Sequence, residues 1–343
     1  MELESLNREC PVLYVVVPCY NEEEVLPETA KRLREKMRGL VAAGEIDRKS
    51  RILLVNDGSR DRTWEMIETL AKADPLFGGV KLSRNRGHQN ALLAGLMTAM
   101  PLSDCTISMD ADLQDDIGAV DGMLKEYKAG SDIVYGVRSS RKTDTFFKRF
   151  TAEGFYKLLA AMGVEVVFNH ADYRLMSRRA LKGLSSFREV NLFLRGIVPQ
   201  IGYKSSTVTY ARAERFAGES KYPLKKMLAL AWDGITSFSV KPIGLLLTLG
   251  ILLTAGSAVA GIVCIIVHLI THALTGTAAI LVSIWLSCGL ILSALGLVGE
   301  YIGKIYGEVK NRPRYIIEAV TLDPGKESEP IQTEESGESD SAL

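Results

Sequence analysis

Two long stretches of this chain contain no charged residue, and they constrain its surroundings more than any other feature. The first, PIGLLLTLGILLTAGSAVAGIVCIIVHLI, runs from Pro242 to Ile270, and the second, AAILVSIWLSCGLILSALGLVG, from Ala278 to Gly299. Each exceeds the roughly 20 residues that a helix requires to cross a bilayer core. A buried helical hairpin in a soluble protein is the competing explanation, and two uncharged runs of this length argue against it. The connector THALTGT holds no Lys or Arg, whereas Lys221, Lys225, Lys226 and Lys241 precede the first run and Lys304, Lys310, Arg312 and Arg314 follow the second. The positive-inside rule then places both flanks in the cytoplasm. The expectation is a multi-pass protein of the cytoplasmic (inner) membrane, with spans near 243–270 and 278–299 and both termini inside. His268 and His272 fall at the loop end and read as interfacial. Gly256, Gly261, Gly289 and Gly296 permit close helix packing, within the hairpin or between copies, so a homo-oligomer is open.

The first half of the chain is written for water. From Val12 to about Gly136, the apolar runs VLYVVV, RILLVN, GVKLS, CTISMD and SDIVYG alternate with amphipathic stretches such as EEEVLPETAKRLREKMRGLVAAG, TWEMIETLAKAD and HQNALLAGLMTAM. Such alternation predicts an α/β domain with a parallel sheet covered on both faces, its ligands bound beyond the C-terminal strand ends. MELESLNREC carries no apolar signal-peptide core. The five cysteines are scattered without a zinc or disulfide pattern, which fits a reducing compartment. Lys+Arg and Asp+Glu both number 41, so charge gives no sign of a nucleic-acid partner.

Between the halves, YPLKKMLALAWDGITSFSV spaces Leu224, Met227, Leu228, Ala231, Ile235 and Phe238 as one helix face. It suits either the membrane interface or packing against the α/β domain. DTFFKRFTAEGFYKLLAAMG, with Phe146, Phe147, Phe150 and Phe155 among Lys148 and Arg149, is a second candidate for a lipid-facing surface. The expected organisation is a cytoplasmic domain over 1–222, an interfacial helix over 223–241, a transmembrane hairpin over 242–300, a juxtamembrane segment over 301–321 and an acidic, disordered tail over 322–343.

Chemistry concentrates where the strands end. No G-x-G-x-x-G or G-x-x-x-x-G-K-[ST] follows any strand, which excludes the usual dinucleotide and P-loop sites. The first strand runs into VVVPCYNEEE, where Pro18 stiffens the exit and Tyr20 offers a face for a base; Asn21 and Glu22 also suit a plain helix start. Asp57, in VNDGSRDRT, stands where a carboxylate can accept a ligand N–H. Arg84 and Arg86, in SRNRGHQNA, precede a helix N-terminus and suggest an anion site. TISMDADLQDD crowds Asp110, Asp112, Asp115 and Asp116 behind a strand, and like charges this close call for a cation. Residues two apart on an extended chain share a side, so Asp110 and Asp112 can both address Mg²⁺ or Mn²⁺. Taken together these features describe a metal-dependent site for a nucleoside diphosphate.

In their order and spacing, VVVPCYNEEE, VNDGSRDRT, SRNRGHQNALLAGL, MDADLQDD, YGVRSS and RFAGESKYPLKKML resemble family 2 glycosyltransferases of GT-A fold. They are most similar to polyprenyl-phosphate glycosyltransferases, both the dolichol-phosphate mannosyltransferase group and the bacterial undecaprenyl-phosphate (bactoprenol) glucosyltransferases. The resemblance extends to about Arg314 and implies a GT-A Rossmann-like, mostly parallel sheet with flanking helices, then interfacial helices and a two-helix transmembrane hairpin. It gives Pro18, Tyr20, Glu22 and Asp57 to the nucleotide, with Asp57 reading the base, and Arg86 to the same region. It assigns Asp110, Asp112 and Gln114 to the metal and donor diphosphate. Arg138, Arg215, Ser220 and Lys221 would hold phosphates, the lipid acceptor's among them, with Lys148 or Arg149 as a further basic contact. Where many mannosyltransferases read TSGF, this chain has HADYRLMSRRAL, which favours the glucosyl branch. The implied reaction is inverting transfer from a UDP-sugar to a polyprenyl phosphate, with Asp172 or Asp116 as base or as a partner for sugar hydroxyls. A processive synthase, which would carry Q-x-x-R-W and more spans, a non-catalytic nucleotide-sugar-binding partner and a transporter are the weaker readings.

Overall fold

The computed structural model describes residues 8–138, 170–190, 192–211 and 277–322, together with single positions between 242 and 270. The chain divides into two compact units, one of residues 1–144, 167–220 and 313–343, the other of residues 145–166 and 221–312.

The first unit is built on one eight-stranded sheet. Its first five strands, β1 (Leu13–Cys19), β2 (Arg51–Asn56), β3 (Phe77–Leu82), β4 (Cys105–Ser108) and β5 (Ile133–Arg138), fall on the five apolar runs. Three more strands come from sequence without an apolar run: β6 (His170–Ser177), β7 (Ser205–Tyr210) and β8 (Ile317–Thr321). The order is β7-β5-β6-β4-β1-β2-β3-β8. β4, β1, β2 and β3 run parallel, as do β5 and β7, while β6 lies antiparallel to β4 and β5, and β8 antiparallel to β3. The sheet is therefore mixed and mostly parallel, as the resemblance implies.

Helices cover both faces. In α1 (Leu26–Ala42), the buried residues Leu26, Thr29, Ala30, Leu33, Met37 and Leu40 recur at helical spacing and form one stripe. That stripe joins Leu13, Val15 and Val17 of β1 in the core, whose strand alternation turns Val16 to the opposite face. There α3 (His88–Ala99) packs so closely that a Cβ on Gly95 would lie 2.4 Å from Val16 and 2.6 Å from Val55. α2 (Thr63–Ala73) packs on β3, and α4 (Ala119–Lys128) on β5 and β7. Two short helices, α5 (Arg178–Ser185) and α6 (Leu194–Gln200), follow β6. Among the described residues Cys10, Cys19 and Cys105 form no disulfide.

In the second unit, every described position from 242 to 270 is helical. The second apolar run forms α7 (Thr277–Val309), 33 residues long, which continues past Gly299. Its Ile284, Ile291, Leu292 and Leu295 are exposed. Among the described residues, one stretch, Gly289–Val309, is long and apolar enough to cross a membrane. The proposed interfacial helix (223–241), the aromatic–basic stretch after Asp144 and the tail from 323 onward lie outside the described residues.

β8 closes the sheet edge that β3 would otherwise present to solvent. Ile317 pairs with Leu82 and Val320 with Val80, Lys81 is bonded to Glu318 at 2.7 Å, and Leu322 covers Gly78. A chain ended after Ile316 loses this strand and bares the β3 backbone. Its thermal midpoint should fall by roughly 5 °C or more, whereas a chain ended after Leu322 keeps the full-length value; equal midpoints for both truncations would remove β8 from the account of stability.

Candidate active site

The exits of β1, β2 and β3 are laced together by backbone groups. Ser59 Oγ accepts from Asn21 N at 3.0 Å, Asn21 Oδ1 accepts from Arg60 N at 2.9 Å, and Thr63 Oγ1 accepts from Glu22 N at 2.9 Å. Asn21 makes this turn at φ 52, in the left-handed region that Asn tolerates. Gly58, at φ +62, allows the β2 exit to touch the β3 exit, since a Cβ there would lie 2.4 Å from Asn85 N.

Asp57 locks the same contact. Its Oδ1 accepts from Arg86 N at 2.7 Å and its Oδ2 from Gly87 N at 2.9 Å, and the residue is 2 % exposed. Burial pushes its carboxyl up, against the two amides that favour the charge. Both oxygens that the sequence offers to a ligand N–H thus also hold the loop that carries Arg84 and Arg86, each with a further lone pair to give. Arg84 is exposed; Arg86 is partly buried, and its Nε finds no hydrogen-bond partner among the described residues. Pro18 lies in β1 beside Val55, and Tyr20 and Glu22 stand half-buried just beyond.

Behind β4, burial alternates: Met109, Ala111 and Leu113 are buried, while Asp110, Asp112 and Gln114 are partly open. Asp110, Asp112 and Gln114 are thus the partly open positions of a loop that turns at residues 111–113, with Leu113 at φ 57. Thr29 of α1 fixes this loop by donating its hydroxyl to Ala111 O at 2.8 Å, and Asp112 Oδ1 accepts from Gln114 N at 3.2 Å. The Asp110 side chain is 38 % exposed. Desolvation, followed by the Asp172 and Asp112 carboxylates, raises its proton affinity against the pull of His88 and Arg195. His88 Nε2 stands 3.5 Å from Asp110 Oδ1 and 3.9 Å from Asp172 Oδ2.

Asp172, on β6, is clamped by two guanidiniums. Arg174 Nη2 lies 2.6 Å from its Oδ1, and Arg195 donates from Nη2 to Oδ2 at 3.1 Å and from Nε to Oδ1 at 3.3 Å. Burial opposes the charge, but Arg195, Arg174 and His88 outweigh it and hold the carboxyl well below the usual range. Asp172, offered by the resemblance as base or as partner for sugar hydroxyls, thus stands as a carboxylate paired with both guanidiniums. Asp116 is engaged as well: its Oδ1 accepts from Gly118 N at 2.8 Å and its carbonyl from Tyr173 Oη at 2.9 Å.

A second cluster lies beside the first. Tyr210 Oη donates to Asp115 Oδ1 at 2.5 Å, Arg138 Nε donates to Tyr210 Oη at 3.3 Å, and Arg138 Nη2 stands 3.9 Å from Asp115. Asp115 is 3 % exposed, and its other oxygen finds no hydrogen-bond partner among the described residues. Burial, then the Asp110 charge, push its carboxyl up to about 6, against the hydrogen bond from Tyr210 and the charge of Arg138.

The donor set suits a hard divalent cation. Mg²⁺ and Mn²⁺ take oxygen ligands, and Mg²⁺ is held by one or two carboxylates plus phosphates and water. Asp110 and Asp112 supply that pair, and their mutual repulsion is what a cation would relieve. Among the described residues no group of three or more His, Cys, Asp or Glu is gathered for a metal, so the protein's share of the shell is sparse.

The structure thus brings Asp110, Asp112, Gln114 and Asp172 together, sets Arg138 beside Asp115, and gathers Pro18, Tyr20, Glu22, Asp57 and Arg86 at the neighbouring strand exits. Arg149, Arg215, Ser220 and Lys221 lie outside the described residues. Sequence reasoning missed His88, Arg174, Arg195, Asp115 as an Arg138 partner, and Tyr210. Position 88, first in the helix behind SRNRG, carried a usable signal; the others become neighbours only through the sheet order.

The family model described as "Glycosyl transferase family 2" matches residues 14–185. The "uncharacterized glycosyltransferase YkoT" of Bacillus subtilis (strain 168) is 53% identical over 313 residues, covering 91% of this chain and 93% of the relative. The "SfII prophage-derived bactoprenol glucosyl transferase" of Shigella flexneri is 41% identical, covering 88% of this chain and 96% of the relative. The "prophage bactoprenol glucosyl transferase homolog" of Escherichia coli (strain K12) is 39% identical, covering 89% and 98%.

Asp115 supplies a test of the site's electrostatics. An acid whose folded pKa exceeds its unfolded value holds its proton better in the native state, so stability falls as pH rises from about 4 through the folded pKa near 6. In metal-free buffer, Asp115→Asn should therefore be more stable than the parent by about 1–3 kcal/mol at pH 7.5, with the advantage gone near pH 4. Denaturation of the two proteins across that range checks it, and a difference independent of pH would contradict the assignment.

Proposed function

The chain belongs to glycosyl transferase family 2, and on that premise we propose that it moves a glycosyl group, glucose by preference, from a UDP-sugar to a polyprenyl phosphate at the cytoplasmic face of a membrane. One observation carries this reading. The carboxylates of the β4 exit share a strand-end site with arginines, in a chain that matches bactoprenol glucosyl transferases over nearly its full length. The apolar helix α7 supports the membrane setting. Its exposed isoleucines and leucines would each cost about 1.5–3 kcal/mol to keep in water, and lipid removes that cost. With the charge-free run before it and the basic residues flanking both, it reads as half of a transmembrane hairpin.

In the proposed reaction a phosphate oxygen of the lipid attacks the anomeric carbon. The new O–C bond forms as the bond from that carbon to the diphosphate breaks, and UDP leaves with the electron pair and inverts the centre. A phosphate monoester is largely dianionic at neutral pH, its second pKa being about 6, so the nucleophile requires no strong base. This agrees with an Asp172 pinned by arginines and an Asp116 occupied at the start of α4. What the protein must do is hold two anionic reactants together and in line. Arg138, oriented by Tyr210 and Asp115, is placed to bind phosphate; Arg149, Arg215, Ser220 and Lys221 are the further acceptor-phosphate candidates. Asp57 acts on the nucleotide through the Arg84–Gly87 loop, with Tyr20 beside it for the base. Asp110, Asp112 and Gln114 would hold Mg²⁺ or Mn²⁺, which when bound offsets the charge gathering on the departing diphosphate.

Transfer of radiolabelled sugar from a panel of UDP-sugars into extractable undecaprenyl phosphate tests this reading. Asp110→Asn and Asp112→Asn should each reduce transfer by about a thousandfold while the purified protein keeps its thermal midpoint. Near-normal transfer by either variant would sink the metal assignment, and no transfer by the parent from any donor would sink the function.

A further inference from the structure

Asp172 faces more positive charge than it can neutralise. Arg174, the inner partner, is 2 % exposed, and burial lowers its pKa against the support of the Asp172 charge, so it requires that carboxylate as a counter-ion. The pair alone is neutral. Arg195 adds a second guanidinium to the same carboxylate, which leaves the trio with one net positive charge. Its side chain is 34 % exposed, so this surplus charge is on the open side.

Arg195 stands close to the candidate metal carboxylate: Asp172, which it grips, lies 3.9 Å from His88 Nε2, and that nitrogen is 3.5 Å from Asp110 Oδ1. The backbone at Arg195 is held from two sides. Gln89 Oε1 accepts from Leu194 N at 2.8 Å, and Leu194 O accepts from Arg174 Nη1 at 3.3 Å. The first turn of α6 is thus tied to α3 and to β6, the two elements that carry His88 and Asp172. A guanidinium forks onto a phosphate with two charge-assisted hydrogen bonds, and a phosphate dianion attracts it more strongly than a carboxylate already matched by Arg174.

We infer that Arg195 is a phosphate-receiving side chain of this site, parked on Asp172 and drawn from it when an anionic substrate group arrives. This rests on the glycosyl-transfer reading and deepens it. The anion is either the diphosphate of the donor or the monoester phosphate of the lipid, and binding measurements separate them. After transfer of its partner, Asp172 keeps Arg174, so the buried charge stays matched throughout.

The test uses the full chain in detergent with Mg²⁺, titrated separately with UDP and with farnesyl phosphate as a short polyprenyl phosphate. Arg195→Gln should weaken at least one ligand tenfold or more, and Arg195→Lys, which keeps the charge without the fork, should fall between it and the parent. Loss confined to UDP assigns the donor diphosphate, loss confined to farnesyl phosphate assigns the acceptor, and loss of both gives Arg195 to each. Unchanged affinity for both ligands in a folded Arg195→Gln protein would overturn the inference and leave Arg195 as a structural partner of Asp172. If Arg195→Gln does not fold, Arg195→Lys decides, and parental affinity for both ligands overturns the inference. A parent that binds neither ligand overturns the glycosyl-transfer reading and this inference with it.

Discussion

Charge balance at the sheet's edge is the constraint on which the rest of the site depends. Asp110, Asp112, Asp115 and Asp172 converge there from the β4 exit and β6, and burial, followed by repulsion among them, raises the proton affinity of Asp110 and Asp115. Asp172 is compensated through Arg174 and Arg195. Asp115 is partly compensated by Arg138 and relieved by Tyr210, whereas Asp110 has His88 at the margin of contact. Among the described residues the ion pairing is thus closer at Asp172 than at Asp110 or Asp115. A site with that gradient favours a divalent cation on one side and phosphates on the other, the combination that a nucleoside-diphosphate sugar presents.

The backbone around this centre is fixed by contacts that few side chains tolerate. Gly58 lets two loops touch, Asp57 fastens the second of them by its amides, and Thr29 reaches from α1 to Ala111 O. These bonds leave little freedom for the acid loop or the arginine loop. Preorganisation of this kind is what a reaction between two anions requires, because repulsion grows as they approach and the protein must supply the geometry beforehand.

The legible parts of the sequence were those whose physics is local. β1 to β5 are buried on both faces, so each appears as an apolar run, and the second charge-free run forms the long helix α7. β6 was hidden because Asp172 and Arg174 stand in its middle; the pair that neutralises them inside the fold reads as surface sequence. β7 is mostly serine and threonine, and β8 is five residues at the far end of an apolar helix, paired to β3 across more than two hundred residues. At the site, the D-A-D spacing marked Asp110 and Asp112, which are partly open positions behind β4. It did not reveal that Asp57 also fastens the neighbouring loop through the amides of Arg86 and Gly87. Nor did it foresee His88, Asp172 and Arg195 meeting, since only the insertion of β6 beside β4 and the docking of α6 on Gln89 bring them together.

The most direct measurement of the central claim is UDP release by the purified chain from UDP-glucose and Mg²⁺ or Mn²⁺, with and without undecaprenyl phosphate. The account predicts release that depends on both the lipid and the cation, at one UDP per sugar transferred. Release that is equally fast without the lipid, or undiminished when the cation is chelated, would contradict it.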